Sequence, residues 1–426
     1  MTKIFFQTHG CSVNFSESEQ MKGILSRYDF EIIENIEDAD VIIINVCTVK
    51  GENTALREIK RISEDYRSKR LIVAGCLTEE LIERVREIRD DLSFINTHNI
   101  KRITEVVEEE INDNHAELLS EEKEVKLNLP KARKNPVVGI VPILNSCALN
   151  CSYCSVKAVK GDLLSYPVNN IIKEVNCSLD DGCKEIWVTS QDNAAYGMEN
   201  KENKLPGLLN EIIKINKEFF VRIGMMNPCN VLPILDELIE IYKNKKIFKF
   251  LHMPVQSGND KILELMNRNY KAEQFKEMIN KFRKEIPNIT ISTDIICGFP
   301  TETEEQFNDS LKLVREIKPD VLNISRFMPR PGTKASYMEQ LEGGVTKDRS
   351  RLLTDIFGNI ARMQNEKWID WEGEILIDEK GKDDSWIGRN FAYKPVVVRG
   401  DFKLGDIINV KINTVTSYDL RGELCQ

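Results

Sequence analysis

The sequence is short of positive charge. Its 59 lysines and arginines face 68 aspartates and glutamates, and with only four histidines the formal net charge is −9. That balance excludes a polycation that grips nucleic acid by bulk electrostatics, so any RNA contact has to be local. Apolar runs are short as well. None approaches the ~20 residues that cross a bilayer, and the opening MTKIFFQTHGC has neither a long apolar core nor a small-residue cleavage site. Both lacks read as a cytoplasmic chain with no membrane partner. With 22 glycines and 14 prolines in 426 residues, the chain is too poor in both for a fibrous or low-complexity protein. Its length suits two or three domains instead, at about 150 residues each.

Cysteine is what the sequence does have, 11 in all. An odd count without a secretion signal argues against a disulfide framework and leaves thiols available to metals. Cys147, Cys151 and Cys154 crowd into CALNCSYC, whereas Cys11, Cys47 and Cys76 lie far apart. Cys177, Cys183, Cys229, Cys297 and Cys425 are scattered and read as small buried hydrophobes.

The order of patterns predicts an α/β chain in three parts. From Lys3 to about Thr97, the runs KIFFQT, DVIIINVC, RLIVAGC and LSFINT alternate with helical stretches such as Glu17 to Tyr28 and Asn53 to Arg67. This is a parallel α/β sheet, whose ligands bind outside the carboxyl ends of the strands. Cys11, Cys47 and Cys76 each follow a strand directly, so the fold brings them to one edge. The acidic run Glu105 to Val125 and the basic Lys131-Ala132-Arg133-Lys134 read as a helix end and linker.

Alternation then restarts with VVGIVPILNSC, EIWVTSQD, FVRIGMMNP, FKFLHMPVQ, ITISTDIICGFP and VLNISRFMP. Six such units predict a partial (β/α)6 barrel, whose chemistry sits at the carboxyl ends of the strands. A helix from about Thr346 to Trp368 leads to GEILIDEKG, WIGRNFAYKPVVV, DIINVKINTV and RGEL, a small β-barrel of the oligonucleotide-binding type. There Trp386, Phe391 and Tyr393 interleave with Arg389, Lys394 and Arg399, as stacking platforms beside phosphate contacts or as a strand with one buried face. The expected partition is 1–110, a linker at 111–135, 136–365 and 366–426.

CALNCSYC follows the first barrel strand. A loop that short wraps one side of a 4Fe–4S cube, because soft thiolates suit iron–sulfur clusters. Three thiols leave one iron without a protein ligand. A zinc site takes four ligands, and here a residue remote in sequence would have to supply the last. The competing readings are a zinc-bearing RNA-binding module and a non-catalytic iron–sulfur redox sensor that binds RNA.

This loop resembles that of the radical S-adenosylmethionine superfamily. THGCSVNFSESE, NVCTVKGENTALREI, AGCL, HMPVQSGNDKILELMNRNY, STDIICGFPTETEEQF and SRFMPRPGTKAS narrow the resemblance to the methylthiotransferases, over almost the whole chain. GRNFAYKPVVV and SVKAVKGDLLSYP resemble the archaeal and eukaryotic-type branch acting on N6-threonylcarbamoyladenosine in tRNA. Other branches act on isopentenyl-adenosine in tRNA or on a ribosomal protein aspartate.

The resemblance implies two 4Fe–4S clusters, an auxiliary one on Cys11, Cys47 and Cys76 and the radical one on Cys147, Cys151 and Cys154. It also implies two molecules of S-adenosylmethionine, one a methyl donor and one cleaved to a 5′-deoxyadenosyl radical. The expected product is a methylthio group at C2 of the modified adenosine at position 37. The last domain is then a TRAM domain. Expected partners are the tRNA anticodon stem-loop, an electron donor of ferredoxin or flavodoxin type and a sulfur source, and the expected state is a monomer.

Cofactor contacts are expected from Tyr153, Ser190, Gln191, Asp192, Gln256, Asp294, Gly298 and Arg326, and catalytic roles from His252, Arg326 and Arg330. Lys160-Gly161 stands where many relatives carry Arg-Gly, which keeps the charge and loses bidentate geometry.

Overall fold

The computed structural model describes residues 1–425. Strands β1 (Thr2–His9), β2 (Phe30–Ile33), β3 (Val41–Cys47), β4 (Arg70–Cys76), β5 (Ser93–Asn96) and β6 (Glu117–Leu118) form one parallel sheet in the order β2-β1-β3-β4-β5-β6. The central runs VIIINVC and RLIVAGC are apolar without alternation because both faces are covered. Helices α2 (Thr48–Asp65) and α3 (Glu79–Ile88) cover one face, and α1 (Ser12–Leu25) and α4 (Ile103–Ile111) the other. Each fully buried isoleucine of β3, such as Ile42 or Ile43, contributes about 1.5–3 kcal/mol of transfer free energy.

Both α1 and α2 begin earlier than periodicity predicts, and Cys11 and Cys47 are their N-cap residues. The first turns of α1 carry no apolar stripe because that helix buries Asn14, Ser16, Glu17, Ser18, Glu19 and Gln20 between the sheet and the next domain.

The segment after β6 is tied down. Glu174 accepts from the Asn128 N–H and pairs with Lys131 at 2.5 Å, both side chains being buried, and Arg133 pairs with Asp181 at 2.5 Å. Lys131 and Arg133 of the basic stretch are therefore spent on the neighbouring helix.

The central unit begins with β7 (Val138–Pro142) and a two-stranded clasp of β8 (Leu144–Asn145) with β9 (Leu164–Ser165). Short helix α5 (Val156–Lys160) lies inside that clasp, followed by α6 (Val168–Asp180), β10 (Glu185–Thr189), α7 (Leu205–Ile213) and β11 (Phe220–Ile223). Then come α8 (Pro228–Val231), α9 (Leu235–Tyr242), β12 (Phe250–His252), α10 (Asp260–Leu265) and α11 (Ala272–Glu285). The unit ends with β13 (Thr290–Cys297), α12 (Glu304–Ile317) and β14 (Val321–Arg326).

Two parallel three-stranded sheets, β11-β10-β7 and β12-β13-β14, meet where Val221 exchanges backbone hydrogen bonds with Lys246 and Phe248. The result is the expected open arc of six strands. Ile186, Val188, Val221, Ile223, Leu251, Ile291 and Ile295 belong to the core beneath the helices. The alternate positions Glu185, Trp187, Arg222, Phe250, His252, Asp294 and Asn323 therefore line the lumen.

Helix α13 (Gly343–Glu366) leads to a closed barrel of β15 (Glu372–Lys380), β16 (Ser385–Arg389), β17 (Pro395–Arg399), β18 (Ile407–Val415) and β19 (Leu420–Leu424). The run Trp386 to Val398 is two strands. It breaks at Asn390, whose Oδ1 accepts the Ala392 and Lys394 N–H groups at 3.0 Å, and Tyr393 sits at φ +60°. That turn seals the amino-terminal end of the partial barrel. Tyr393 packs on Phe248 at 4.9 Å and Phe250 at 5.3 Å, and Arg222 lies over Trp187, Phe250 and Tyr393 at 5.0–5.2 Å. Buried Lys394 reaches Asp320 at 2.8 Å. Tyr393, Lys394 and Arg389 are thus domain-docking residues and not the RNA platform considered from sequence. Phe391, by contrast, remains exposed.

Candidate active site

Cys11, Cys47 and Cys76 meet at the carboxyl edge of the first sheet, as strand-end placement predicts. Cys47 and Cys76 are register partners at the ends of β3 and β4, and the Cys47 thiol interacts electrostatically with those of both Cys11 and Cys76. Asn14, which sequence reading passed over, organises them. Its Oδ1 accepts from the Cys11 N–H and thiol at 3.3 Å, and its Nδ2 donates to Asn45, to the Val46 carbonyl and to the Cys76 sulfur at 3.9 Å. Gly75, at φ +111°, lets the chain pass there, since a Cβ would stand 2.3 Å from Asn45 Oδ1. The Cys47 contact lowers the Cys11 thiol to about 6, whereas Cys47 itself is pushed up by both neighbours and by burial.

Cys147, Cys151 and Cys154 follow β8 on the barrel's carboxyl face and are partly buried. The Cys147 sulfur accepts the Leu149 N–H at 3.4 Å, and the Cys151 sulfur accepts from Arg268 Nη1 at 3.7 Å. Arg268, a second residue that sequence reading passed over, is buried, stacks on Tyr270 and donates to the Pro254 carbonyl. Burial raises the thiols of Cys147 and Cys154.

Among the described residues no three His, Cys, Asp or Glu side chains close on one point as for a single ion. A cube spreads its thiolates over separate irons, and three soft thiols are the donor type such a group takes. The two domains touch near the first set: Ser12, next to Cys11, hydrogen-bonds through Oγ to Thr189 Oγ1 at 2.5 Å, at the carboxyl end of β10.

The other expected site residues divide by what they touch. His252 Nε2 lies 2.8 Å from Asp294 Oδ1, which also accepts from Asn323 Nδ2 at 2.7 Å, so a carboxylate there fixes the proton on Nε2. Gln191 carries a buried Oε1 with no partner among the described residues, a ready acceptor. Gln256 is held at φ +73° between the Asp294 carbonyl and the Ile296 N–H, a strained backbone of the kind that clusters at functional sites. Ser190 is buried and bonded to Asn193 at 2.9 Å.

Two of the expected cofactor contacts also have partners within the chain. The Asp192 oxygens accept from Asn227 N at 2.9 Å, Ala194 N at 3.2 Å and Asn230 Nδ2 at 2.8 Å, which organises the strand-end loops. Gly298, φ +75°, is required for packing, since a Cβ would lie 2.4 Å from Thr346 Oγ1 of α13.

Tyr153 spends its ring on Phe299, 6.5 Å away edge to face. Arg326 ends β14 and is exposed, and Arg330 follows in the next loop, close enough for its charge to act on Cys154. Of the scattered cysteines, Cys183 and Cys297 are buried as expected, Cys229 is partly buried, and Cys177 and Cys425 are exposed.

Family models match at residues 141–314 (Radical SAM superfamily), 3–96 (Uncharacterized protein family UPF0004) and 372–425 (TRAM domain). The chain is 38% identical to a probable threonylcarbamoyladenosine tRNA methylthiotransferase of Methanothermobacter thermautotrophicus, over 93% of each chain. It is 38% identical to that of Pyrococcus abyssi over the whole of both. With the Homo sapiens threonylcarbamoyladenosine tRNA methylthiotransferase it shares 36% over 99% of this chain and 74% of that one. Among solved structures, a radical S-adenosylmethionine methyltransferase from Kitasatospora setae matches with TM-score 0.56 at 12% identity, covering 79% of this chain and 77% of that one, a likeness of fold. With a cysteine loop on a partial barrel, three thiols at one sheet edge and relatives matched over most of their length, the chain belongs to the threonylcarbamoyladenosine tRNA methylthiotransferase family of radical S-adenosylmethionine enzymes.

Proposed function

We propose that this enzyme installs a methylthio group at C2 of N6-threonylcarbamoyladenosine at position 37 of tRNA, using two 4Fe–4S clusters and two molecules of S-adenosylmethionine. The observation that carries this reading is the Ser12–Thr189 contact of 2.5 Å, which joins the strand-end edge bearing Cys11 to the carboxyl end of a barrel strand, the face on which Cys147, Cys151 and Cys154 lie. When bound, the group on the loop would supply the electron that splits S-adenosylmethionine, and the group on the sheet would hold the sulfur that is methylated.

Every other task falls to the chain. An unactivated C–H has no useful acidity, so the protein's part is to orient, enclose and exclude water. Asp294, with Asn323, holds His252 as an Nε2–H tautomer inside the lumen. Gln191 and the strained Gln256 offer polar groups to S-adenosylmethionine at the strand ends. Arg326 and Arg330 at the rim supply cations for a phosphate and for the threonyl carboxylate. The partition is 1–110 for the auxiliary cluster, 136–365 for the radical cluster and 366–426 for the TRAM domain, with the strapped linker between the first two. An electron donor of ferredoxin or flavodoxin type and a sulfur source serve a cytoplasmic monomer.

The test is nucleoside mass spectrometry of tRNA digests from cells with and without the gene. The 2-methylthio derivative should vanish and its threonylcarbamoyl precursor accumulate. An unchanged methylthio nucleoside in a host that makes it would refute the substrate and turn attention to isopentenyl-adenosine or ribosomal protein. Loss of the methylthio form in Cys147→Ala as well as in Cys76→Ala is expected, with 5′-deoxyadenosine released by the second variant alone.

A further inference from the structure

Behind the three thiols of the first sheet lies a buried charge cluster that is not neutral. Glu17 of α1 accepts from Lys126 and from Thr97 Oγ1 at 2.5 Å. Lys126 also donates to the Thr97 carbonyl and hydroxyl, both at 2.9 Å. Lys160, at the end of α5, donates to Thr97 Oγ1 at 3.1 Å and stands 3.7 Å from Glu17 Oε1. Lys126 and Lys160 are 4% and 3% exposed and Glu17 is 1% exposed. Two ammonium groups thus share one carboxylate out of reach of water.

His98 adds no charge of its own, because burial lowers its basicity while its Nε2 donates to the Val159 carbonyl at 3.2 Å. Burial works against the Lys126 ammonium as well, and the Glu17 carboxylate in contact with it works to hold the proton; with both lysines charged, one positive charge is left over. An uncompensated buried cation costs several kcal/mol, on the order of a broken buried pair, so the cluster needs a further anion.

That anion has one place to be. Val159, the residue before Lys160, packs directly on Cys47 and Cys76. The Lys160 ammonium makes only the Thr97 hydrogen bond among the described residues, which leaves donors for another acceptor. Burial works against its charge, and the Cys76 thiol, Glu17 and the Cys11 thiol restore it. An oxidised 4Fe–4S cube held by three thiolates carries one net negative charge, which balances the surplus. Lys160 is also tied to the other cysteine set: its carbonyl accepts from Asn145 Nδ2 at 3.0 Å, two residues before Cys147.

We infer that Lys160, a residue of the radical domain, is the buried counter-ion of the auxiliary cluster on Cys11, Cys47 and Cys76, setting that cluster's potential and its retention and making both depend on the docked domains. The inference rests on the two-cluster reading above. Lys160 acts as a positioning charge, since it touches neither substrate nor the reacting carbon.

The experiment uses the full chain with Cys147, Cys151 and Cys154 replaced by Ala, so that any cluster is the auxiliary one. Lys160→Met and Lys160→Arg are compared with this parent after anaerobic reconstitution with iron and sulfide. Lys160→Met should lower the reduction potential by about 59 mV, a tenfold loss of preference for the reduced state at one electron, and should lose iron and labile sulfide faster to a chelator. Lys160→Arg should behave as the parent. The metal-free form of Lys160→Met should melt no lower than the metal-free parent, because removing surplus charge costs nothing when no cluster is present.

An unchanged potential with full retention in Lys160→Met would overturn the assignment. So would an equal loss of melting temperature with and without cluster, which marks a purely structural ion pair. A parent that takes up no iron would instead refute the auxiliary cluster itself.

Discussion

Asp294 within β13 and Gly298 just after it, four residues apart, show how neighbouring positions serve different ends. Asp294 holds His252 and Asn323 by hydrogen bonds of 2.8 and 2.7 Å. Asp294→Asn keeps the shape and loses the charge. It should cut methylthio product formation about ten- to a hundredfold, as outer partners of a reactive site do, at unchanged iron content. Full turnover would remove Asp294 from the site. Gly298 meets Thr346 and has φ +75°, so Gly298→Ala should destabilise by about 1–3 kcal/mol in urea titration. Adding Thr346→Ala should recover part of that loss, and a neutral Gly298→Ala would show that α13 yields freely.

At this scale the two sets of three cysteines were legible because soft donors at tight spacing or at strand ends carry a pattern. Asn14, Arg268 and Asn323 carry none, since each is a single polar residue whose meaning comes only from a neighbour distant in sequence. The loop contacts of Asp192 were not legible because a polar strand end looks the same whether it faces a ligand or a loop.

Among elements, the strands were the easiest to read. Covered sheets give unbroken apolar runs, and all six barrel strands lie where their runs stand. Helix α1 was harder, because its buried face is Asn14, Ser16, Glu17, Ser18, Glu19 and Gln20, which no hydrophobic periodicity marks.

The strap between the first two domains was also invisible as such, since its basic residues resemble a solvated linker. Its Lys131 neutralises Glu174, each side chain being 3% exposed. Lys131→Ala should therefore cost about 3–5 kcal/mol by stranding a buried carboxylate. The double variant Lys131→Met with Glu174→Leu should recover most of it. A chemical-denaturation midpoint unmoved by Lys131→Ala would show that the strap does not bear on the fold.

The whole molecule is held at its lower end by a set of groups from two domains. Burial, with the Asp378 carboxylate nearby, raises the Glu185 carboxyl from 4.5 to about 7. The native state then keeps a proton that the unfolded chain releases between those values, so stability falls as pH rises through that window and is level above it. The melting temperature should drop between about pH 4.5 and about pH 7, and Glu185→Gln should shrink that drop. An identical drop in the variant would assign it to other buried acids, such as Glu19 and Glu302, which burial also raises. The order of domains was readable from changes of period along the chain. Their docking was not, because Tyr393 and Arg222 meet only in three dimensions.

The turn at Asn390 to Lys394 makes the C-terminal barrel a floor for the central one. With that floor removed, Phe248, Phe250 and Arg222 would open to water at the base of the lumen, beneath the catalytic face. Excising residues 372–426 is therefore no clean way to ask what RNA binding contributes. The truncated enzyme should lose S-adenosylmethionine cleavage along with tRNA affinity, and only substitutions at solvent-exposed positions away from that turn separate recognition from architecture.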